Sequence, residues 1–277
     1  MSKSASILDA KLTYLYSRTG GSLVKLGLDT TQALLRGMGV DPLSIPCLHV
    51  AGTNGKGSVS AMLESVLREA GLRTALYTSP HLIRFNERIR MRGEPIPDKE
   101  LIRLLDDVER VDQTQSAGPG GRIGTFFELT TAVAMKWFIE QKVQMAVLET
   151  GMGGRLDSTN VVVPLLSVIT ELGMEHTTFL GDTLEKIAAE KAGIIKPGRP
   201  VVVGRQKPAA MNVIEAKARE AGAPLLRADE RVAVRRVSQD LDGQVLSIET
   251  SEGPWETFRL PLLGDFQLEN CALAVTA

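Results

Sequence analysis

The stretch "CLHVAGTNGKGS", residues 47–58, restricts the possible folds of this chain more than any other segment. An apolar run breaks into Gly52, Gly55 and Gly57 around a single cation, Lys56. Beyond it Val59, Met62, Leu63, Val66 and Leu67 fall at helical spacing, and Gly71 is placed to end the helix. A buried strand, a glycine-rich turn and a helix in that order form the opening of a βαβ unit, which belongs to a mainly parallel sheet. The turn exposes backbone N–H groups where the helix dipole is positive, so phosphate is its natural ligand. Lys56 supplies a full charge toward the β- and γ-phosphates of a nucleotide. The match to a strict phosphate-loop pattern is imperfect, since Val50 stands where a glycine is usual and Gly57 follows the lysine in place of Ser or Thr. Read alone, the segment is also compatible with a plain strand-to-helix turn carrying a solvated lysine.

The rest of the chain repeats the same grammar. Apolar runs at 47–51, 74–78, 145–149, 165–170 and 200–204 read as strands, and 126–141, 183–192 and 209–221 as helices. From about residue 225 to 262 the pattern changes to alternation in "RVAVRRV", "QVLSIET" and "WETFRLPL", which predicts a small antiparallel β-meander with turns such as Asp242-Gly243. The expected fold is therefore α/β, with helices on both faces of a mainly parallel sheet, organised as one domain over 1–277. Two stretches, 79–98 with its four arginines and the glycine-rich 113–124, read as irregular functional loops. The final "LENCALAVTA" begins a helical pattern without a cap and reads as a cut.

Composition excludes several classes. Thirty-two basic against thirty-three acidic residues leave a net charge of −1, so no global field favours nucleic acid or an anionic membrane. No apolar run approaches a membrane span, and the first residues lack the apolar segment of a signal peptide. Cys47 and Cys271 are too few for a disulfide framework, which suits a reducing cytoplasm. Any anion site must be local. Glu149 leaves the strand "MAVL" into the turn "ETGMGGRLDSTN", where a metal-binding carboxylate would sit. His176 follows "LLSVIT" at an equivalent edge, although a lone histidine is more often structural than a ligand.

Five ordered segments, "HVAGTNGKGS", "YTSPHLIRFNERIRMRG", "TFFELTTAVA", "VLETGMGGRLDSTN" and "LGDTLEKIAAEKAGIIKPGRPVV", resemble the folylpolyglutamate synthase and dihydrofolate synthase family within the Mur ligase superfamily. The resemblance implies that Gly52, Thr53, Asn54, Gly55, Lys56, Gly57 and Ser58 cradle the phosphates of ATP. It implies magnesium ligation by Ser79, Glu149 and His176, with two ion sites. Lys191 matches a lysine that the family often carries as a carbamate, whereas without the family it reads as a surface helix lysine. Phe126, Phe127 and Asp157 match segments that help bind the pterin-bearing substrate. The segment "LLGDFQLENCALA" departs from the family's GxHQxxN pattern, with Phe266 in the histidine's place and Gln267 and Asn270 kept, and Asn270 is expected near adenine.

By resemblance, ATP phosphorylates the carboxylate of dihydropteroate or a folate, and the amine of glutamate attacks the acyl phosphate to form an amide. The resemblance further implies a cytoplasmic monomer acting on small molecules. Relatives continue into a smaller C-terminal domain, and this chain reads as stopping before it. A binding module that holds Mg-ATP and a pterin without turnover is therefore the competing expectation. A muramyl-peptide ligase is disfavoured by "TSPHLIRFNERI", and a plain P-loop kinase would need no glutamate.

Overall fold

The computed structural model describes residues 3–19, 27–118, 121–255 and 257–277, with side chains from residue 6 onward. Parts of the expected loop 113–124 and of the last meander strand thus lie outside the described residues. In chain order the elements begin α1 (Lys3–Tyr16), α2 (Asp29–Gly37), β1 (Cys47–Ala51), α3 (Lys56–Glu69), β2 (Thr74–Tyr77), β3 (Ile89–Met91) and β4 (Glu94–Pro95). They continue with α4 (Asp98–Ser116), α5 (Phe126–Glu140), β5 (Met145–Glu149), β6 (Leu166–Ile169), α6 (Thr177–Leu180), α7 (Leu184–Ala192), β7 (Val201–Val203) and α8 (Pro208–Glu220). Last come β8 (Leu225–Arg227), α9 (Ala228–Arg231), β9 (Val232–Asp240), β10 (Gly243–Thr250), β11 (Gly253–Pro254), β12 (Phe258–Leu260) and α10 (Phe266–Thr276).

The chain falls into two compact units. The first comprises Met1–Cys47, Leu67–Gly151 and Leu156–Val163. Its strands run β4-β3-β2-β5, with β2 and β5 parallel in the register Thr74↔Met145 to Tyr77↔Leu148. Its core gathers Leu34, Leu101, Leu104, Met135, Phe138 and Leu148. Helix α5 starts where it does because Thr125 accepts the Glu128 N–H while the Glu128 carboxylate accepts that of Thr125.

The second unit comprises Leu48–Val66, Met152–Arg155 and Pro164–Ala277. Its parallel strands run β1-β6-β7-β8, and every residue of β1, β6 and β7 is buried, as strands covered on both faces require. Ile169, Val201, Val203, Met211 and Ile214 form its core. Strand β10 pairs antiparallel with β9, β11 and β12, which gives the expected meander. The α/β, mainly parallel architecture read from the sequence is what the chain forms.

Four expectations need correction. Residues 79–98 are not an irregular loop throughout, because β3 pairs antiparallel with β2 and turns back into β4. Strands of three and two residues are too short to show a period. Residues 113–116 are the last turn of α4, whose buried Leu101, Leu104, Leu105, Val108 and Val111 lie among many charges. Leu225–Arg227 is parallel to β7 and not part of the meander, and the β9–β10 turn is centred on Leu241 and Asp242, with Gly243 already paired to Asp240.

His49 lies fully buried in β1. Burial, aided by the Lys196 charge, pushes its imidazole down from 6.5 to about 3. A base depressed in the folded state contributes stability above its unfolded pKa, and loses it as pH falls because the unfolded chain takes up the proton first. Urea denaturation is therefore expected to show stability falling by about 1.4 kcal/mol per pH unit from this residue as pH drops below 6.5 toward about 3. His49→Gln should flatten that part of the profile; an unchanged acid slope would refute the assignment.

Candidate functional site

At the end of β1 the chain is held by its own carbonyls and by two lysines. The Gly52 carbonyl accepts from Lys56 Nζ at 2.9 Å and from Lys191 Nζ at 2.6 Å. The Thr53 and Asn54 amides both donate to the Glu171 carbonyl, at 2.9 and 3.2 Å. Thr170 Oγ1 donates to the Asn54 carbonyl at 2.6 Å, and Gly173 exchanges hydrogen bonds with Thr53 Oγ1. The loop is thus stapled to the segment that follows β6. The Thr53 and Asn54 amides, expected from the sequence to face phosphate, are committed to Glu171. What remains for an anion is the start of α3, where the amides of Lys56, Gly57 and Ser58 have no intrahelical acceptor while that of Val59 is bonded to the Gly55 carbonyl, with Lys56 rooted in that turn.

Lys191, at the end of α7, is only 1% exposed, which corrects the surface-lysine reading. Its ammonium pairs with Glu175 Oε1 at 2.5 Å. Burial acts to raise the Glu175 carboxyl, but the hydrogen bond and charge of Lys191, with Lys56 adding to them, hold it below the usual carboxylate range. Glu175 was not singled out from the sequence; the available signal was an acid beside His176 after a strand. His176 itself is exposed, with φ of 46°, and precedes the single turn of α6.

Helix α10 completes the loop's surroundings. Gln267 Nε2 donates to Ser58 Oγ at 3.2 Å, and Asn270 Nδ2 donates to Gln267 Oε1 at 2.9 Å. Gly55 adopts φ of +83°, and a Cβ there would collide with the Asn270 carboxamide. This glycine is required both by its conformation and by that close approach.

In the first unit, the Ser79 amide donates to Glu149 Oε2 at 3.1 Å, which brings two of the expected ligand residues together. Asp157 is differently employed: its carboxylate accepts the amides of Gly151 at 2.8 Å and Thr159 at 3.0 Å, so it fixes the turn after β5. Phe127 packs beneath Gly151, where a Cβ would lie 2.5 Å from its ring. Phe126 stacks on Tyr16 with centroids 5.5 Å apart and meets Phe85 edge-on at 6.1 Å. The Arg88 guanidinium lies over Phe126 at 5.1 Å and donates from Nε to His81 Nδ1 at 2.8 Å. The segment holding His81, Phe85 and Arg88 was singled out from the sequence, but their meeting with Tyr16 and Phe126 was missed, because those two come from separate segments.

Comparison with known proteins follows this geometry closely. The Mur ligase middle domain family matches residues 50–277, which include the loop, Glu149, Lys191 and α10. This chain belongs to that family. It is 42% identical over 259 residues to the dihydrofolate synthase/folylpolyglutamate synthase of Bacillus subtilis, covering 92% of this chain and 59% of that protein. It is also 42% identical over 232 residues to the folylpolyglutamate synthase of Lacticaseibacillus casei, covering 82% of this chain and 53% of that protein. A solved complex of such a synthase with AMPPCP and folate superposes with a TM-score of 0.90 at 37% identity, over 97% of this chain and 65% of the other. The Mycobacterium tuberculosis synthase solved with ADP and AMPPCP gives a TM-score of 0.87 at 35% identity, over 99% of this chain and 61% of the other. The chain thus spans little more than half the length of the two relatives compared by sequence.

In this Mur ligase domain, Glu149 and the Ser79 hydroxyl are hard oxygen donors suited to magnesium. Among the described residues no three His, Cys, Asp or Glu side chains gather as a ready metal cluster, so an ion there needs water and phosphate oxygens as further ligands. Lys191 does not fit a second ion as it stands, since an ammonium paired with Glu175 has no lone pair to give.

Gly55→Ala should lower stability by about 1–3 kcal/mol, from the left-handed backbone and the Asn270 collision together. The loss should shrink when Asn270→Ala is added; urea titration of the four-member cycle would disprove the coupling if the two costs simply summed.

Proposed function

We propose that this chain is the nucleotide- and pterin-handling part of an ATP-dependent ligase that joins the carboxylate of dihydropteroate or a (poly)glutamyl folate to the amine of L-glutamate. The observation that carries the reading is the Gly52 carbonyl clamped by Lys56 and Lys191, which sets the first turn of α3 as an anion seat. The names of the relatives, among them a complex with AMPPCP and folate, support the same conclusion.

The chemistry assigned to the chain's own residues is positioning and charge neutralisation. The α3 amides and Lys56 take the β- and γ-phosphates, and Lys56 follows the charge that builds on the bridging oxygen as the γ-phosphoryl group leaves. The acceptor carboxylate takes that phosphoryl group, giving an acyl phosphate and ADP. Attack by the glutamate amine forms a tetrahedral intermediate, which collapses to an amide and inorganic phosphate. No protein nucleophile is required. A magnesium ion held by Ser79 and Glu149 would supply Lewis-acid chemistry when bound, and His176 is proposed separately as a magnesium ligand. Phe126, with Tyr16 and Arg88 around it, offers a flat apolar and cationic surface of the kind a pteridine ring stacks on. Cys47 and Cys271 are buried and form no disulfide, which fits the proposed reducing cytoplasm, and no described helix is long and apolar enough to cross a membrane.

The alternative is a module that binds Mg-ATP and a pterin without turning them over. Incubating the purified chain with Mg-ATP, glutamate and either dihydropteroate or tetrahydrofolate, and following ADP and glutamylated product by mass spectrometry, separates the two. Product supports the ligase. Absent product with calorimetric Mg-ATP binding supports the module. In either case Lys56→Ala is expected to weaken the measured function about 10²-fold or more with an unchanged circular dichroism spectrum, and wild-type behaviour of that variant would refute the phosphate role.

A further inference from the structure

The stacked rings of Tyr16 and Phe126 come from segments far apart in sequence, and one buried acid lies behind both. Asp112, near the end of α4, is 1% exposed. Its Oδ1 accepts the Gly124 amide at 2.7 Å, two residues before α5 opens with Phe126. Its Oδ2 accepts no hydrogen bond among the described residues and faces Arg18 Nη2 at 3.6 Å, two residues after Tyr16 closes α1. The Arg18 guanidinium lies over the Tyr14 ring at 4.7 Å, and the Arg18 carbonyl accepts the Phe126 amide at 3.3 Å. One carboxylate thus addresses both segments, each time two residues from a stacked ring. Gly124 lets it come so near, since a Cβ there would lie 3.0 Å from Oδ1 and 2.9 Å from the Leu129 side chain.

The helix itself does not call for an acid at this depth. The other buried positions of α4, Leu101, Leu104, Leu105, Val108 and Val111, are apolar, and Asp112 interrupts their stripe. Burial pushes the Asp112 carboxyl up, with Glu109 adding to it, and the Gly124 amide and the Arg18 charge oppose that without cancelling it. A buried charge compensated only in part is weak evidence for a stabilising role, because an apolar residue of similar volume would fill the place at lower cost. What the acid supplies and an apolar residue would not is a fixed spacing between the end of α1 and the start of α5.

We propose that Asp112 is the positioning residue of the Tyr16–Phe126 surface, holding the two segments so that the rings stay near parallel, 13° apart. The role rests on the reading of that surface as the pteridine seat. The test is calorimetry of the whole chain with two probes, dihydropteroate and AMPPCP in magnesium. Asp112→Ala is expected to weaken dihydropteroate about tenfold, as loss of a hydrogen bond to a charged group does, while leaving AMPPCP unchanged. Asp112→Asn, which keeps an oxygen for the Gly124 amide, should recover most of that loss. Dihydropteroate affinity unaltered by Asp112→Ala, an equal loss for both probes, or no recovery in Asp112→Asn would overturn the positioning role. Phe126→Ala tests the reading beneath it. If that variant weakens dihydropteroate while Asp112→Ala does not, the pteridine seat stands without Asp112; if Phe126→Ala changes nothing, the seat falls and the role of Asp112 with it.

Discussion

A positive charge removed from water organises the candidate site. Lys191 is 1% exposed, and an ammonium at that depth costs several kcal/mol unless it is paired and hydrogen-bonded. Glu175 supplies the opposite charge and the Gly52 carbonyl an acceptor. The chain after β6 must therefore bring Glu175 to α7, and the chain after β1 must present the carbonyl of Gly52 to the same nitrogen. Removing one partner would strand the other. That reciprocal dependence is a reason for the loop to take one shape before any ligand arrives.

The loop's polarity follows from the same arrangement. Carbonyls of Gly52, Thr53 and Asn54 are turned toward lysines and Thr170, and the amides of Thr53 and Asn54 toward Glu171. With these groups satisfied internally, the α3 amides are left as the outward-facing donors. A ligand arriving there meets a surface already ordered, so little of its binding energy is consumed in shaping the protein.

How much of this could be read in advance depended on whether a residue acts locally. The strand, turn and helix around Lys56 were legible because apolar period and glycine spacing are properties of a dozen contiguous residues. Helix α5 was legible for the same reason, and the structure adds the capping pair Thr125 and Glu128 at its start. Strands β3 and β4 were not, being three and two residues long, and α4 was hidden by its charged faces. Lys191 shows the limit most clearly: its helix was expected, but its burial depends on Glu175 and on Gly52, 139 positions away. The cluster of Tyr16, His81, Phe85, Phe126 and Arg88 was equally out of reach, since three separate segments converge to build it. Asp157 was named only through the family resemblance, as part of a substrate-binding segment, and its role in holding the turn after β5 was not legible.

The bond between Gln267 and Ser58 spans 209 positions of sequence. A ribosome making this chain releases the glycine loop long before it releases α10, and during that interval Gly55 has no Asn270 to lie against and Ser58 no Gln267. Contacts of such separation form late, because the intervening chain must first be ordered. A nascent chain should accordingly complete the surroundings of this loop only as its last described helix docks, so an anion bound at the start of α3 would act on the folded unit and not as a template for its early folding.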